Sequence, residues 1–254
     1  MNPDPKPVVY DGTFAGWCAA CGRLLAEASA APLYWRVGSE EAGEDLFENA
    51  GMLNWPADDS NLNLFFTLLE PAGGRKLIYD LLCLFLSEAL DRETLMFQMV
   101  QISLEQGQQG RKWHGHPDMR RAGILIDRVR HEAHRSKGLL RFMELRDGTL
   151  YARYAPSHDV TPLVAGHFRR RMPRDRWVIH DEARHYGVAW DGAAFHEAGG
   201  FPPGTAEQFT EAESRYQACW RAFFRELEIP ERRNLRLQRH FLPERFRKYL
   251  PELD

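Results

Sequence analysis

The chain has 254 residues, 44% of them apolar and 27% charged, a balance that excludes a disordered polar chain and fits an α+β module. No apolar run reaches the roughly 20 residues that span a bilayer, and MNPDPKPVVY lacks the charged start and apolar centre of a signal peptide, so a cytoplasmic protein is expected. The net charge of −3 hides a gradient: residues 1–110 hold 6 Lys and Arg against 16 Asp and Glu, residues 111–186 hold 17 against 9, and residues 187–254 hold 10 against 11.

Val8–Tyr10 reads as a short strand turned by Asp11-Gly12. Thr13 is placed to N-cap a helix through Ala28, with Phe14, Trp17, Cys21, Leu24 and Leu25 at helical spacing. Cys18 and Cys21 form a CxxC inside that helix. With four cysteines in all and no second CxxC, buried thiols are favoured over a zinc or redox site. Tyr34–Val37 reads as a second strand, Ser39–Ala50 as a short acidic helix and Asn54–Asn61 as a loop. Leu62–Gln106 is mostly helical. Leu64, Phe65, Leu68 and Leu69 form one stripe, a Pro/Gly break follows at residues 71–74, and Leu77–Leu90 is apolar almost all round, as a buried helix would be. Asp91 should cap a further helix through Leu95, Met96, Met99 and Ile102, and Gln106–Gly115 is a Gly/Gln-rich connection.

Met119–Lys137 reads as a helix with Ile124, Ile126 and Val129 inward, Arg128, Arg130, Arg135 and Lys137 outward, and Gly138 as its stop. Leu139–Leu145 and Thr149–Ala155 alternate as strands about Asp147-Gly148, a pair that favours a type I′ turn. A helix follows to Met172 with Pro162 in its first turn. Trp177–Asp181 and His185–Trp190 are two more strands, and Asp191-Gly192 turns toward Ala193–Glu197. Ala198–Gly204 is a loop. Ala206–Leu227 is the clearest amphipathic helix, with Phe209, Tyr216, Cys219, Trp220, Phe223, Phe224 and Leu227 at three- and four-residue steps. The tail holds a short helix, Pro243 and a last helical turn. The expected architecture is one α+β module over residues 1–254. Its helical part covers about 13–137, a largely antiparallel curved sheet about 139–197, and C-terminal helices about 206–250. Val8–Tyr10 is a further candidate strand of the same sheet.

The chemistry-bearing residues concentrate in the basic block. His131 and His134 in HEAH stand at i and i+3. That spacing shares a helix face but is not the i, i+4 pair of a zincin, so they are weak metal candidates needing a third ligand from His158, His167, His180 or His185. There is no GxSxG, phosphate loop or GxGxxG, so no cofactor is expected. Arg128, Arg130, Arg135, Lys137, Arg141, Arg170 and Arg171 are the candidate phosphate contacts, with Tyr151, Tyr154 and Trp177 as candidate stacking surfaces. Glu132, His134, His158, His167, Asp181 and Arg184 are the candidate pocket. A solvated basic surface, or docking of the basic block on the acidic N-terminal third, explains the same charges without a ligand.

Ordered blocks along the chain resemble the domain of unknown function 4130 family, whose members are associated with DNA metabolism. The blocks are YDGTF at Tyr10–Phe14, HEAHRSKGLLRF at His131–Phe142, Asp147–Ala152, Pro156 with His158, and His167–Arg171. They continue with Trp177, Ile179, Asp181 and Arg184, then Tyr216 and Trp220, Glu231–Asn234, Gln238, and Pro243–Leu250. Residues 33–109 match weakly, and Asp159 stands where Asn is expected. The resemblance implies a module encoded beside a radical-SAM protein of DNA modification or repair, and fused in other chains to a uracil-DNA-glycosylase domain. It carries no reaction with it. The leading expectation is therefore a DNA-binding accessory protein in repair or base modification, with DNA and the radical-SAM protein as partners. A hydrolytic repair enzyme (nuclease or glycosylase-like) using the Glu/His/Asp pocket is the first alternative, and a protein-interaction scaffold the second.

Overall fold

The computed structural model describes residues 8–27, 35–37, 53–54, 59–107, 116–199, 209–232 and 234–253. The acidic helix expected at Ser39–Ala50, most of the Gln106–Gly115 connection and most of the Ala198–Gly204 loop lie outside these residues. The chain divides into two compact units, Met1–Arg128 and Val129–Asp254.

The first unit contains β1 (Val8–Tyr10), α1 (Phe14–Ala26), β2 (Trp35–Val37), β3 (Leu53–Asn54), α2 (Asp59–Leu69), α3 (Gly74–Phe85), α4 (Arg92–Gln106) and the first half of α5 (Pro117–Leu139). Thr13 caps α1 as expected, accepting from the Gly16 amide at 2.9 Å. The expectation that Val8–Tyr10 joins the later sheet is corrected. β1 is the central strand of a separate three-stranded sheet, parallel to both β2 and β3, with α1 as the crossover from β1 to β2. α1 lies close against α2 because Gly22 has no side chain; a Cβ there would meet the Asn61 carbonyl oxygen at 2.6 Å. Trp17, Leu24, Phe65, Leu69, Leu77, Leu81, Leu84 and Met96 fill the core.

Four local expectations, three in this unit and one further along α5, are revised. The helix expected over Leu77–Leu90 ends at Phe85 and is amphipathic, with Tyr79 exposed and Leu90 fully in solvent. Asp91 precedes α4 but its carboxylate makes no cap; both oxygens take Arg121, which offers a stronger bidentate pair. On α5, Leu125 rather than Ile124 faces inward with Ile126 and Val129, and Ile124 is exposed. Gly138 does not stop α5, which runs on to Leu139.

The second unit holds the rest of α5, β4 (Met143–Glu144), β5 (Leu150–Tyr154), α6 (Thr161–Arg171), β6 (Trp177–Asp181), β7 (Tyr186–Trp190), β8 (Phe195–Ala198), α7 (Glu211–Glu226), α8 (Leu235–Phe241) and α9 (Glu244–Arg247). The five strands form one open sheet in sequential order. Every pairing is antiparallel except β5 with β6, which the α6 crossover makes parallel. The β4–β5 connection differs from the expected type I′ turn. Leu145 both accepts from the Gly148 amide and donates to the Thr149 carbonyl, and positive φ falls on Gly148 (80°) but not on Asp147. That is a type I turn closed by a left-handed glycine, and the Asp147 carboxylate secures it by accepting from the Thr149 amide and hydroxyl.

Phe142, Phe168 and Trp177 pack edge to face in the core of this unit. Trp177 is fully buried and donates its indole N–H to the Met172 carbonyl at 3.3 Å, so it combines roughly 2–3 kcal/mol of apolar burial with a satisfied donor. Tyr151 and Tyr154 are buried as well, at 5% and 1% exposure. The expectation that these three rings stack bases is overturned: they are core.

α7 is the largest departure. The amphipathic helix expected over Ala206–Leu227 forms over Glu211–Glu226, yet no residue of it is buried. The helix docks by a polar edge instead. Glu213 accepts from the Glu144 amide, Gln217 donates to Glu213, and the Trp220 indole donates to Glu252 at 3.2 Å.

Candidate functional site

The second half of α5 divides by face. Val129, Glu132, Ala133 and Ser136 point inward, while His131 and His134 are exposed. An inward glutamate at 4% exposure requires compensation, and Glu132 receives three donors. Its Oε1 accepts from the Ser157 amide (2.9 Å) and from Nη2 of Arg245 (2.6 Å), and its Oε2 accepts from the His158 amide (2.8 Å).

The same loop is held from its other side. Arg184 donates to the Pro156 carbonyl at 3.3 Å and the Ser157 carbonyl at 3.0 Å. Its guanidinium is oriented in turn by Asp181, whose Oδ2 accepts from Arg184 Nη1 at 2.8 Å. Oδ1 of Asp181 accepts from the amides of Ala183 and Arg184. Asp181 is fully buried at the end of β6. Burial pushes its carboxyl above the ordinary range, and Arg184 and the two amides only partly offset this. Beyond the clamped loop, the Tyr186 hydroxyl donates to Asp159, and the Tyr154 and Thr161 hydroxyls bond each other at 2.9 Å.

The structure thus brings four of the six expected pocket residues together: Glu132, His158, Asp181 and Arg184 converge on residues 156–158. They meet as a clamp, with both carboxylates closed by backbone amides and arginines, and His158 takes part through its backbone. His134 stands on the exposed face of α5 and His167 on α6, so neither belongs to the clamp. Among the described residues, no three or more His, Cys, Asp or Glu side chains are grouped to hold a metal ion.

Sequence reasoning missed the C-terminal contribution. Arg245 reaches Glu132. Tyr249 donates to Glu182 at 2.6 Å beside Arg153 and Lys248, and Arg141 pairs with Glu252 at 2.7 Å. Burial alone would raise the Glu182 carboxyl, but Tyr249, Arg153 and Lys248 bring it below its ordinary value. These partners lie 67 to 113 residues apart in the chain, and no local spacing signals them.

The expected phosphate contacts are dispersed by role. Arg141 is spent on the Gly138 and Leu140 carbonyls and on Glu252. Arg128 is exposed at the end of the first unit, and Arg130 is half-buried with contacts of its own. Arg135, Lys137, Arg170 and Arg171 form no ion pair among the described residues. Three of these four act on one group. His167 is held below the ordinary histidine range first by burial and then by the charges of Lys137, Arg170 and Arg171. Positive charge is therefore crowded where the end of α5 meets α6, and the α6 arginines stand in its last turn, where the helix dipole favours them.

The family model for a domain of unknown function, DUF4130, matches residues 90–252. The chain belongs to the DUF4130 family. The match runs from α4 to the C-terminal turn and contains every clamp residue, including Arg245. The Tyr10–Phe14 block lies outside it. No curated protein and no solved structure matches the chain significantly. No described helix is long and apolar enough to cross a membrane.

Proposed function

We propose that this DUF4130 protein binds nucleic-acid backbone through Arg135, Lys137, Arg170 and Arg171, as a DNA-binding accessory factor in repair or base modification that works with a radical-SAM partner. The observation that carries the reading is the crowding at His167. Three like charges there repel one another and one histidine, and no carboxylate pairs with them among the described residues. A phosphate relieves that repulsion and releases counterions from the DNA. The radical-SAM partner rests on the family resemblance alone.

Fluorescence anisotropy with labelled single- and double-stranded DNA tests the reading. Four phosphate contacts give a slope of log affinity against log salt of about −3 to −4, and Arg170→Ala/Arg171→Ala reduces it by about 2. A second readout is the His167 titration by NMR. A phosphate beside it favours the imidazolium, so its pKa rises on binding and affinity increases as pH falls. Salt-independent binding, or a double variant that binds like the wild type, refutes the reading. Nuclease-treated pull-down with the radical-SAM protein separates direct contact from tethering through DNA. The hydrolytic alternative has less support, because Glu132 and Asp181 are closed by the clamp. The scaffold alternative draws support from the exposed face of α7.

A further inference from the structure

We propose that α7 is the seam of a symmetric dimer, pairing antiparallel with α7 of a second copy of this chain. Ala212, Tyr216, Cys219, Phe223 and Leu227 recur at steps of four, three, four and four. This is the spacing of a helix–helix seam. All five are exposed, with Tyr216 at 64%, Phe223 at 54% and Leu227 at 62%. Such a row of large apolar side chains on a helix marks an association surface rather than ordinary scatter. At its C-terminal end the row opens into a groove of about 750 Å³ whose lining mixes apolar residues, Phe224, Leu227 and Phe241 among them, with charged ones such as Arg225, Glu228 and Arg247.

The occupant follows from the charges beside the seam. Arg215 and Glu226 lie three helical turns apart and within about 20° of each other around the helix, so they share one flank. Both are exposed, and neither makes an ion pair among the described residues. The stripe is centred between Cys219 and Trp220. A two-fold axis through that point sets Tyr216 against the partner's Phe223 and Ala212 against the partner's Leu227. It also brings Arg215 within about 3 Å, along the helix, of the level of the partner's Glu226, twice by symmetry. In a parallel two-fold pair this flank faces the opposite flank of the partner, so Arg215 and Glu226 do not meet across the seam. The flank is therefore complementary to itself in one orientation only. A single helix of this length buries less than a standard interface does, so the dimer is weak and dissociates on dilution.

Sedimentation equilibrium of the full chain across concentrations tests this. The expected result is reversible association from 29.4 kDa to twice that mass. Arg215→Glu and Glu226→Arg each weaken the dimer roughly tenfold, and the two together restore it to within about threefold of the wild type. Phe223→Ser abolishes it while circular dichroism stays unchanged, since that side chain is exposed. A chain that stays monomeric leaves the seam to a different protein and overturns the proposal. So does a dimer indifferent to Phe223→Ser, or a charge swap that fails to restore pairing.

Discussion

Replacing Glu132 by alanine removes the acceptor for three donors at once. The amides of Ser157 and His158, at 2.9 and 2.8 Å, lose this carboxylate acceptor, and the Arg245 guanidinium, at 2.6 Å, loses its counter-charge. Each hydrogen bond to a charged group contributes about 1.5–3 kcal/mol, and breaking a buried ion pair from one side costs about 3–5 kcal/mol. Arg245 is 37% exposed, so water takes over part of its share, and the expected loss is about 3 kcal/mol. With an unfolding entropy near 2.1 cal/mol/K per residue, that lowers the melting temperature of the second unit by about 10 °C. Glu132→Gln keeps the shape but turns an amide donor toward donors, so about half the loss remains. Arg245→Ala costs about 1–2 kcal/mol, because Glu132 keeps both amides. Urea melts followed by tryptophan fluorescence give these differences. Amide exchange resolves the cause: the Ser157 and His158 amides exchange at least about tenfold faster in Glu132→Ala. A loss below about 0.5 kcal/mol with those amides still protected refutes the clamp.

The turn at Gly148 has φ 80° with open space around its α-carbon, so Gly148→Ala destabilises through backbone strain alone, by about 1 kcal/mol in urea melts. Cys18, Cys21 and Cys83 are buried and burial pushes the Cys18 and Cys21 thiols up, whereas Cys219 is exposed. In dilute native protein a thiol reagent should therefore modify one cysteine quickly and the other three only on unfolding. His167 and His180 are both held below the ordinary histidine value by burial, and His180 shares a 2.7 Å hydrogen bond with the Tyr151 hydroxyl. The unfolded chain then takes up protons first as pH falls through about 6.5. The histidine contribution is therefore present well above that value and is lost as pH falls through it toward the lower folded-state values. The raised Asp181 carboxyl acts in the opposite direction nearer the carboxylate range, so the histidine share is read as the part of the decline that His180→Gln removes.

Periodicity made most of the second unit legible. β6 was expected at the residues it occupies, and α6 and the Asp191-Gly192 turn came from local patterns that tertiary packing did not override. The parallel β5–β6 pairing follows from a helix lying between two strands. What was not legible had no local signature. β1 is three residues long, and nothing within those residues distinguishes a strand of the first sheet from one of the second. The turn at Asp147-Gly148 was misread because the same dipeptide serves two turn types. Their difference lies in the φ of Asp147, which the sequence does not display.

The clamp shows why residue identity alone misassigns chemistry. Glu, His, Asp and Arg gathered in a basic block look like acid–base machinery, and the same types are what a polar loop needs when it is pinned to a core. The distinction is in the lone pairs. A carboxylate that is to accept a proton or activate water needs an oxygen free to meet substrate. In Glu132 and Asp181 every oxygen already accepts at least one hydrogen bond from an amide or an arginine. In Lys137, Arg170 and Arg171 the opposite holds, since their donors meet no carboxylate among the described residues and their field falls on a histidine. The search for function in this unit therefore moves from the residues that look catalytic to the charges left unneutralised beside them.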